Sequence, residues 1–82
     1  MYYVYVLKSL KDGDLYVGKT ANLRGRIKQH NDGRVPSTCD RRPLKFIYYE
    51  AGNNSKDASH RELYLKTAWG KRYLKLRVKN DI

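Results

Sequence analysis

Two tyrosine-bearing tripeptides, Tyr3-Val4-Tyr5 and Tyr16-Val17-Gly18, stand near the start of the chain, and a basic segment from Lys19 to Arg26 follows the second at once. Far downstream lies Glu62, one of only two glutamates. These residue types suit phosphodiester chemistry. A guanidinium such as Arg26 binds phosphate through two oxygens and stabilises charge that develops on a phosphoryl group. A carboxylate can hold a hard divalent cation whose other ligands are water and phosphate oxygens. A phenol of pKa about 10 is a poor base alone, so Tyr5 and Tyr16 need a proton acceptor or a cation beside them. His30, four residues after Arg26 and so on the same helix face, is mostly neutral at pH 7 and can serve as a general base.

Local sequence patterns predict the elements that must position these groups. Residues 2–8 are β-branched and aromatic, which predicts a first strand. Asp12-Gly13 predicts a tight hairpin turn, and residues 15–19 a second strand. A turn centred on Asp12-Gly13 sets Leu7 opposite Gly18, Ser9 opposite Tyr16 and Tyr5 opposite Thr20. Alternation then puts Tyr3, Tyr5, Leu7, Tyr16 and Gly18 on one face, with Tyr5 and Tyr16 roughly 13 Å apart along the ladder. Gly18 opposite Leu7 leaves room for a ligand or another backbone.

Thr20 is placed to cap a helix starting near Ala21, with Leu23 and Ile27 as its buried stripe and Asn31-Asp32-Gly33 as its end. Residues 34–43 read as a loop carrying both prolines, and 44–50 as a third strand. Ser55 is expected to cap a second helix from about 56 to 68. On it Ala58, Glu62, Leu65 and Trp69 share a face, so a carboxylate interrupts an apolar stripe. Such a carboxylate needs a cation or a salt bridge; a metal, Arg26 and Lys19 are the candidates. Residues 71–79 fit either a strand or a helix.

Composition narrows the class. Eighty-two residues allow one domain over 1–82, with a modest core rich in its eight tyrosines. Eighteen lysines and arginines against eight acids give a net charge of +10, which attracts polyanions. Nucleic acid is the expected partner. A membrane is not, because no long amphipathic basic helix or apolar anchor is visible. Lys19, Arg24, Arg41, Arg42, Lys71 and Arg72, with Arg34, Lys75, Arg77 and Lys79, are candidate phosphate contacts. The single Cys39 cannot form an internal disulfide and has no ligand partner at zinc spacing, compatible with a reducing cytoplasm.

Tyr3-Val4-Tyr5, Tyr16-Val17-Gly18, Arg26, His30-Asn31 and Arg61-Glu62 together resemble the GIY-YIG nuclease domain. The likeness runs over about residues 2 to 78 and is closest to small stand-alone bacterial members, similar to the catalytic domain of an excision-repair endonuclease subunit. It implies an α+β fold, a three-stranded antiparallel sheet flanked by helices in the order β-β-α-β-α-α. It also implies one Mg²⁺ or Mn²⁺ and a helical C-terminal segment. By position, Tyr5 corresponds to the tyrosine that takes a proton from water, and Tyr16 to the one that supports the nucleophile or the phosphate. Arg26 corresponds to the catalytic arginine, His30 to the residue one turn later, Glu62 to the metal ligand and Lys19 to a basic residue after the second tripeptide.

One departure is Tyr3, which stands where the family has a small residue. The chain also lacks the extra targeting domain that many relatives carry, so a partner protein that selects the target is expected. The expected activity is metal-dependent hydrolysis of DNA, in repair or a related process. The alternatives are a basic nucleic-acid-binding module without catalysis and an adaptor that retains the fold.

Overall fold

The computed structural model describes residues 1–80, so the last two residues of the expected 1–82 domain lie outside the described residues. Strands β1 (Tyr2–Ser9), β2 (Leu15–Thr20) and β3 (Leu44–Gly52) form one antiparallel sheet in the order β2-β1-β3. Helices α1 (Leu23–Asn31), α2 (Ser55–Leu65) and α3 (Ala68–Arg77) complete the expected β-β-α-β-α-α order, and a short 3₁₀ turn at Cys39–Arg41 lies between α1 and β3.

The sheet is covered on both faces. Val4, Val6 and Val17 pack with Ala58 and Leu65 of α2 and Leu74 of α3. On the opposite face Tyr5, Leu7 and Leu44 pack against Tyr16 and against Leu23 and Ile27 of α1. Each fully buried Leu or Val contributes roughly 1.5–3 kcal/mol relative to leaving it in water. Both faces are needed because β1, the central strand, is apolar on either side.

The hairpin differs from its expected register. Tyr5 pairs with Gly18 and Leu7 with Tyr16, a shift of two residues. The turn is not a two-residue one at Asp12-Gly13. Ser9 nucleates a longer loop: its buried hydroxyl accepts from the backbone N–H groups of Lys11 and Asp12, and its carbonyl accepts from Gly13, which has φ +79°. A two-residue slip preserves side-chain parity, so the tyrosine face is the expected one. It also halves the separation of Tyr5 and Tyr16 along the ladder.

Other boundaries shift by local capping. Asn22, not Thr20, caps α1 by accepting from the Gly25 N–H, and Asn54, not Ser55, caps α2 by accepting from Lys56 and Asp57. The second helix ends at Leu65, and Thr67 caps a separate α3. Trp69 therefore leaves the expected apolar stripe and is 68% exposed. The sharp α2–α3 corner depends on buried Gly70, because a Cβ there would overlap the Tyr64 carbonyl and the Leu65 Cα. Residues 71–77 are helical, resolving the strand-or-helix ambiguity.

Candidate active site

The Tyr5 side chain lies across Gly18 of the neighbouring strand. A Cβ at position 18 would overlap the Tyr5 Cζ and Oη, so the glycine gap is filled by the ring itself rather than left open for a ligand. Tyr5 is 1% exposed, and its Oη lies 2.7 Å from Nε2 of His30. His30 projects inward from the last turn of α1 and is fully buried. Its Nδ1 lies 2.7 Å from Oγ1 of buried Thr38, in the loop after α1. Tyr16 completes the cluster, its ring centroid 6.4 Å from that of Tyr5 and 5.1 Å from His30.

The electrostatics follow from burial. Desolvation, with the positive charge of Arg26, pushes the His30 imidazole down to about 4. His30 is therefore neutral at pH 7 and has no direct path to solvent. The general base expected from the sequence is a buried partner of Tyr5 rather than a group that meets water itself. Burial also raises the Tyr5 phenol, the nearby Arg26 guanidinium pulls it back down, and the charges of Tyr16 and Glu62 push it up. The Tyr5 oxygen thus senses both the guanidinium and the carboxylate.

Arg26 sits on the same inward side of α1 and holds Gln29 Oε1 at 3.0 Å. It shares an open groove of about 340 Å³ with Lys19, Thr20, Asn22, Gly25 and Gln29. The two cations Lys19 and Arg26 make this groove suited to an anion. Lys19 also ties β2 to α2, because its Nζ donates to Ser59 Oγ at 2.6 Å and to Ser55 Oγ at 3.1 Å.

Glu62 comes from α2, on the other face of the sheet from α1. Its carboxylate is 23% exposed and pairs with Lys66 at 3.3 Å, in place of the Arg26 or Lys19 bridge expected if no metal were present. Two anchors fix the roll of α2 and hence the direction of Glu62. Lys19 holds one side to β2. Arg61, the residue before Glu62, makes a two-point bond to Glu50 of β3 at 2.8 and 3.0 Å. Burial pushes Glu50 up, but the hydrogen bonds from Arg61 and Tyr48 outweigh it and hold the carboxyl low.

Among the described residues no group of three His, Cys, Asp or Glu side chains gathers at a metal-binding separation. A half-buried carboxylate with no second acidic or imidazole ligand beside it fits a hard cation that keeps most of its water and takes phosphate oxygens. It does not fit zinc.

The other basic candidates do not form one track. Arg24 is exposed near the start of α1. Arg41 lies 3.6 Å from Asp12 at the hairpin, and Arg42 donates to the Cys39 carbonyl. Lys71 and Arg72 lie on α3 across the sheet, with Arg72 over the Trp69 ring. Thr38 is a site residue that sequence reasoning missed. No pattern marks a loop threonine as the partner of a histidine eight residues earlier.

The chain is similar to known proteins over most of its length. A family model for the GIY-YIG catalytic domain matches residues 1–75. The chain is 48% identical over 67 residues to a UPF0213 protein of Clostridium perfringens, covering 80% of this chain and 71% of that protein. A UPF0213 protein of Staphylococcus haemolyticus is 38% identical over 76 residues, 92% of each chain. The UPF0213 protein YazA of Bacillus subtilis is 38% identical over 66 residues, 79% of this chain and 66% of its own length.

Proposed function

The chain belongs to the GIY-YIG family, a nuclease superfamily, and from that premise we propose that it is a metal-dependent endonuclease that hydrolyses DNA phosphodiester bonds. The observation that carries the proposal is the Tyr5 oxygen, held over Gly18 on His30 and subject to the charges of both Arg26 and Glu62.

In this reading the scissile phosphate lies in the groove lined by Lys19 and Arg26. Water attacks phosphorus opposite the departing sugar oxygen. Tyr5 Oη receives the water proton while its own proton passes to Nε2 of His30, so the phenol acts as a relay and never needs to ionise alone. A buried imidazolium is disfavoured in the resting protein. The negative charge that builds on the phosphoryl oxygens at the moment of transfer offsets that cost. Thr38 holds Nδ1 and fixes the ring for the exchange. Arg26 stabilises the phosphoryl oxygens, and the Tyr16 hydroxyl supports the nucleophile or the phosphate. Glu62 would hold Mg²⁺ or Mn²⁺ in exchange for Lys66, and that ion supplies neutralisation of phosphoryl and leaving-group charge when bound.

The test is nicking of supercoiled plasmid with Mg²⁺ or Mn²⁺. Glu62→Ala and Arg26→Ala should each lower the rate by about a hundredfold or more. Undiminished nicking in both variants overturns the proposal. Salt-sensitive DNA binding without cleavage in the unaltered chain would point instead to a binding module.

A further inference from the structure

A second groove, of about 560 Å³, opens on the sheet face that carries α1. Its floor and far wall are aromatic: Phe46 and Tyr49 lie nearly parallel, 5.9 Å between centroids, and Tyr3 meets Tyr49 at 6.0 Å. Phe46 is 39% and Tyr49 51% exposed, so these rings present faces to solvent. Leu23 and Ile27 of α1 form the near wall, and Asn22 and Arg24 stand at the rim.

The groove depends on an irregularity in β3. Leu7 pairs with Phe46 but Val6 pairs with Tyr48, so Ile47 is an extra residue in the strand. The bulge sends Ile47 and Tyr48 together into the α2 and α3 core. It thereby puts Phe46 and Tyr49, which regular alternation would separate, on the same face. Tyr3 adds the third ring, at the position where the family has a small residue. Its ring meets that of Tyr49 in a tilted contact.

We propose that this groove stacks an unpaired base of a nucleic-acid strand whose phosphates lie in the Lys19 and Arg26 groove. The two grooves flank the N-terminal end of α1 and share Asn22. A strand crossing that end keeps its phosphates near Lys19, Arg26 and the positive end of the helix dipole, and swings a base into the aromatic recess. Ring faces attract the face of a base, which a duplex hides between its neighbours. The rim charge of Arg24 and the net charge of +10 favour a polyanion and repel a second copy of this chain. The substrate class is therefore nucleic acid with a single-stranded segment beside the scissile bond. Base stacking stands without the nuclease reading; only the position of the cut rests on it.

The test measures binding without added metal, in the Glu62→Ala chain, so loss of cleavage cannot affect it. Fluorescence anisotropy would compare a labelled oligothymidylate with a blunt duplex of equal length. Replacing Phe46 and Tyr49 together by Ala should weaken single-strand binding about tenfold or more and leave duplex binding within about twofold, because the phosphate contacts are untouched. Tyr49→Phe, which keeps the ring, should retain single-strand binding. Equal losses on both ligands, no loss on either, or a change in oligomeric state on removing the rings would each overturn the proposal.

Discussion

Gly18→Ala is the sharpest probe of how this site is built. The glycine has an ordinary backbone conformation, so the substitution adds a methyl group and no backbone strain. That methyl overlaps the outer end of the Tyr5 ring. The ring is rigid and buried, so it must leave its place, and it then surrenders the 2.7 Å bond to His30. Overpacking of this kind costs about 1–3 kcal/mol. Leaving the buried imidazole nitrogen without a partner costs about another 1–3 kcal/mol. A chain of this length has about 4–12 kcal/mol of stability, so the variant folds but melts early. The midpoint should fall by roughly 10–30 °C, and nicking below that midpoint should drop by about a hundredfold, because the Tyr5 oxygen is displaced from His30. Tyr5→Phe provides the control: it keeps the ring, removes the oxygen, and loses only the second contribution. In the double variant the His30 bond is lost once, so urea denaturation should show a cost about 1–3 kcal/mol below the sum of the singles. Strict additivity, or a Gly18→Ala chain as stable and active as the parent, would refute the placement of the ring.

Three further outcomes rest on particular contacts. His30 has a folded pKa of about 4, below its ordinary 6.5, so the unfolded chain binds a proton that the folded chain refuses. Stability should be flat above pH 6.5 and fall as pH drops from there toward about 4, by at most about 3 kcal/mol; denaturation midpoints of His30→Gln should lack that part of the slope, with the depressed Glu50 still contributing at lower pH. Gly70→Ala drives a methyl into backbone of α2, which cannot yield as a side chain can; calorimetry should show a loss of at least about 3 kcal/mol, while catalytic rates per folded molecule stay near the parent's. Lys19→Met keeps the aliphatic stem but loses the bonds to Ser55 and Ser59; it should cost about 1–2 kcal/mol and slow nicking by misplacing Glu62, with a smaller effect than removing Glu62 itself.

Much of this molecule is legible as local pattern. The alternation in residues 2–8 and 15–19 determined which side chains share a face, and parity kept that result intact although the register slipped by two. The elements from β1 to α2, the inward side of α1 and the buried positions Ala58 and Leu65 also followed from local pattern, whereas the helical ending was implied by the family resemblance and not by period. Capping residues were misplaced by one or two positions because Thr20 and Asn22, or Asn54 and Ser55, are equally good acceptors by type. Only the folded backbone selects between them. The turn differs from expectation because Asp-Gly signals a short loop, whereas the Ser9 hydroxyl, which accepts from Lys11 and Asp12 but donates to the distant Arg41 carbonyl at 2.7 Å, stabilises a longer one.

Residue type and spacing by themselves marked two phenols, a guanidinium, an imidazole and a carboxylate as candidates for one chemistry. Tertiary structure alone decided what each meets: that Tyr5 crosses Gly18, that His30 is buried and neutral with Thr38 behind it, and that Glu62 arrives from the opposite layer. It alone placed Phe46 beside Tyr49. Periodicity is carried by neighbours along the chain and survives in any string of letters. Burial, which sets protonation, and a strand bulge, which re-aims side chains, exist only after distant segments have packed together.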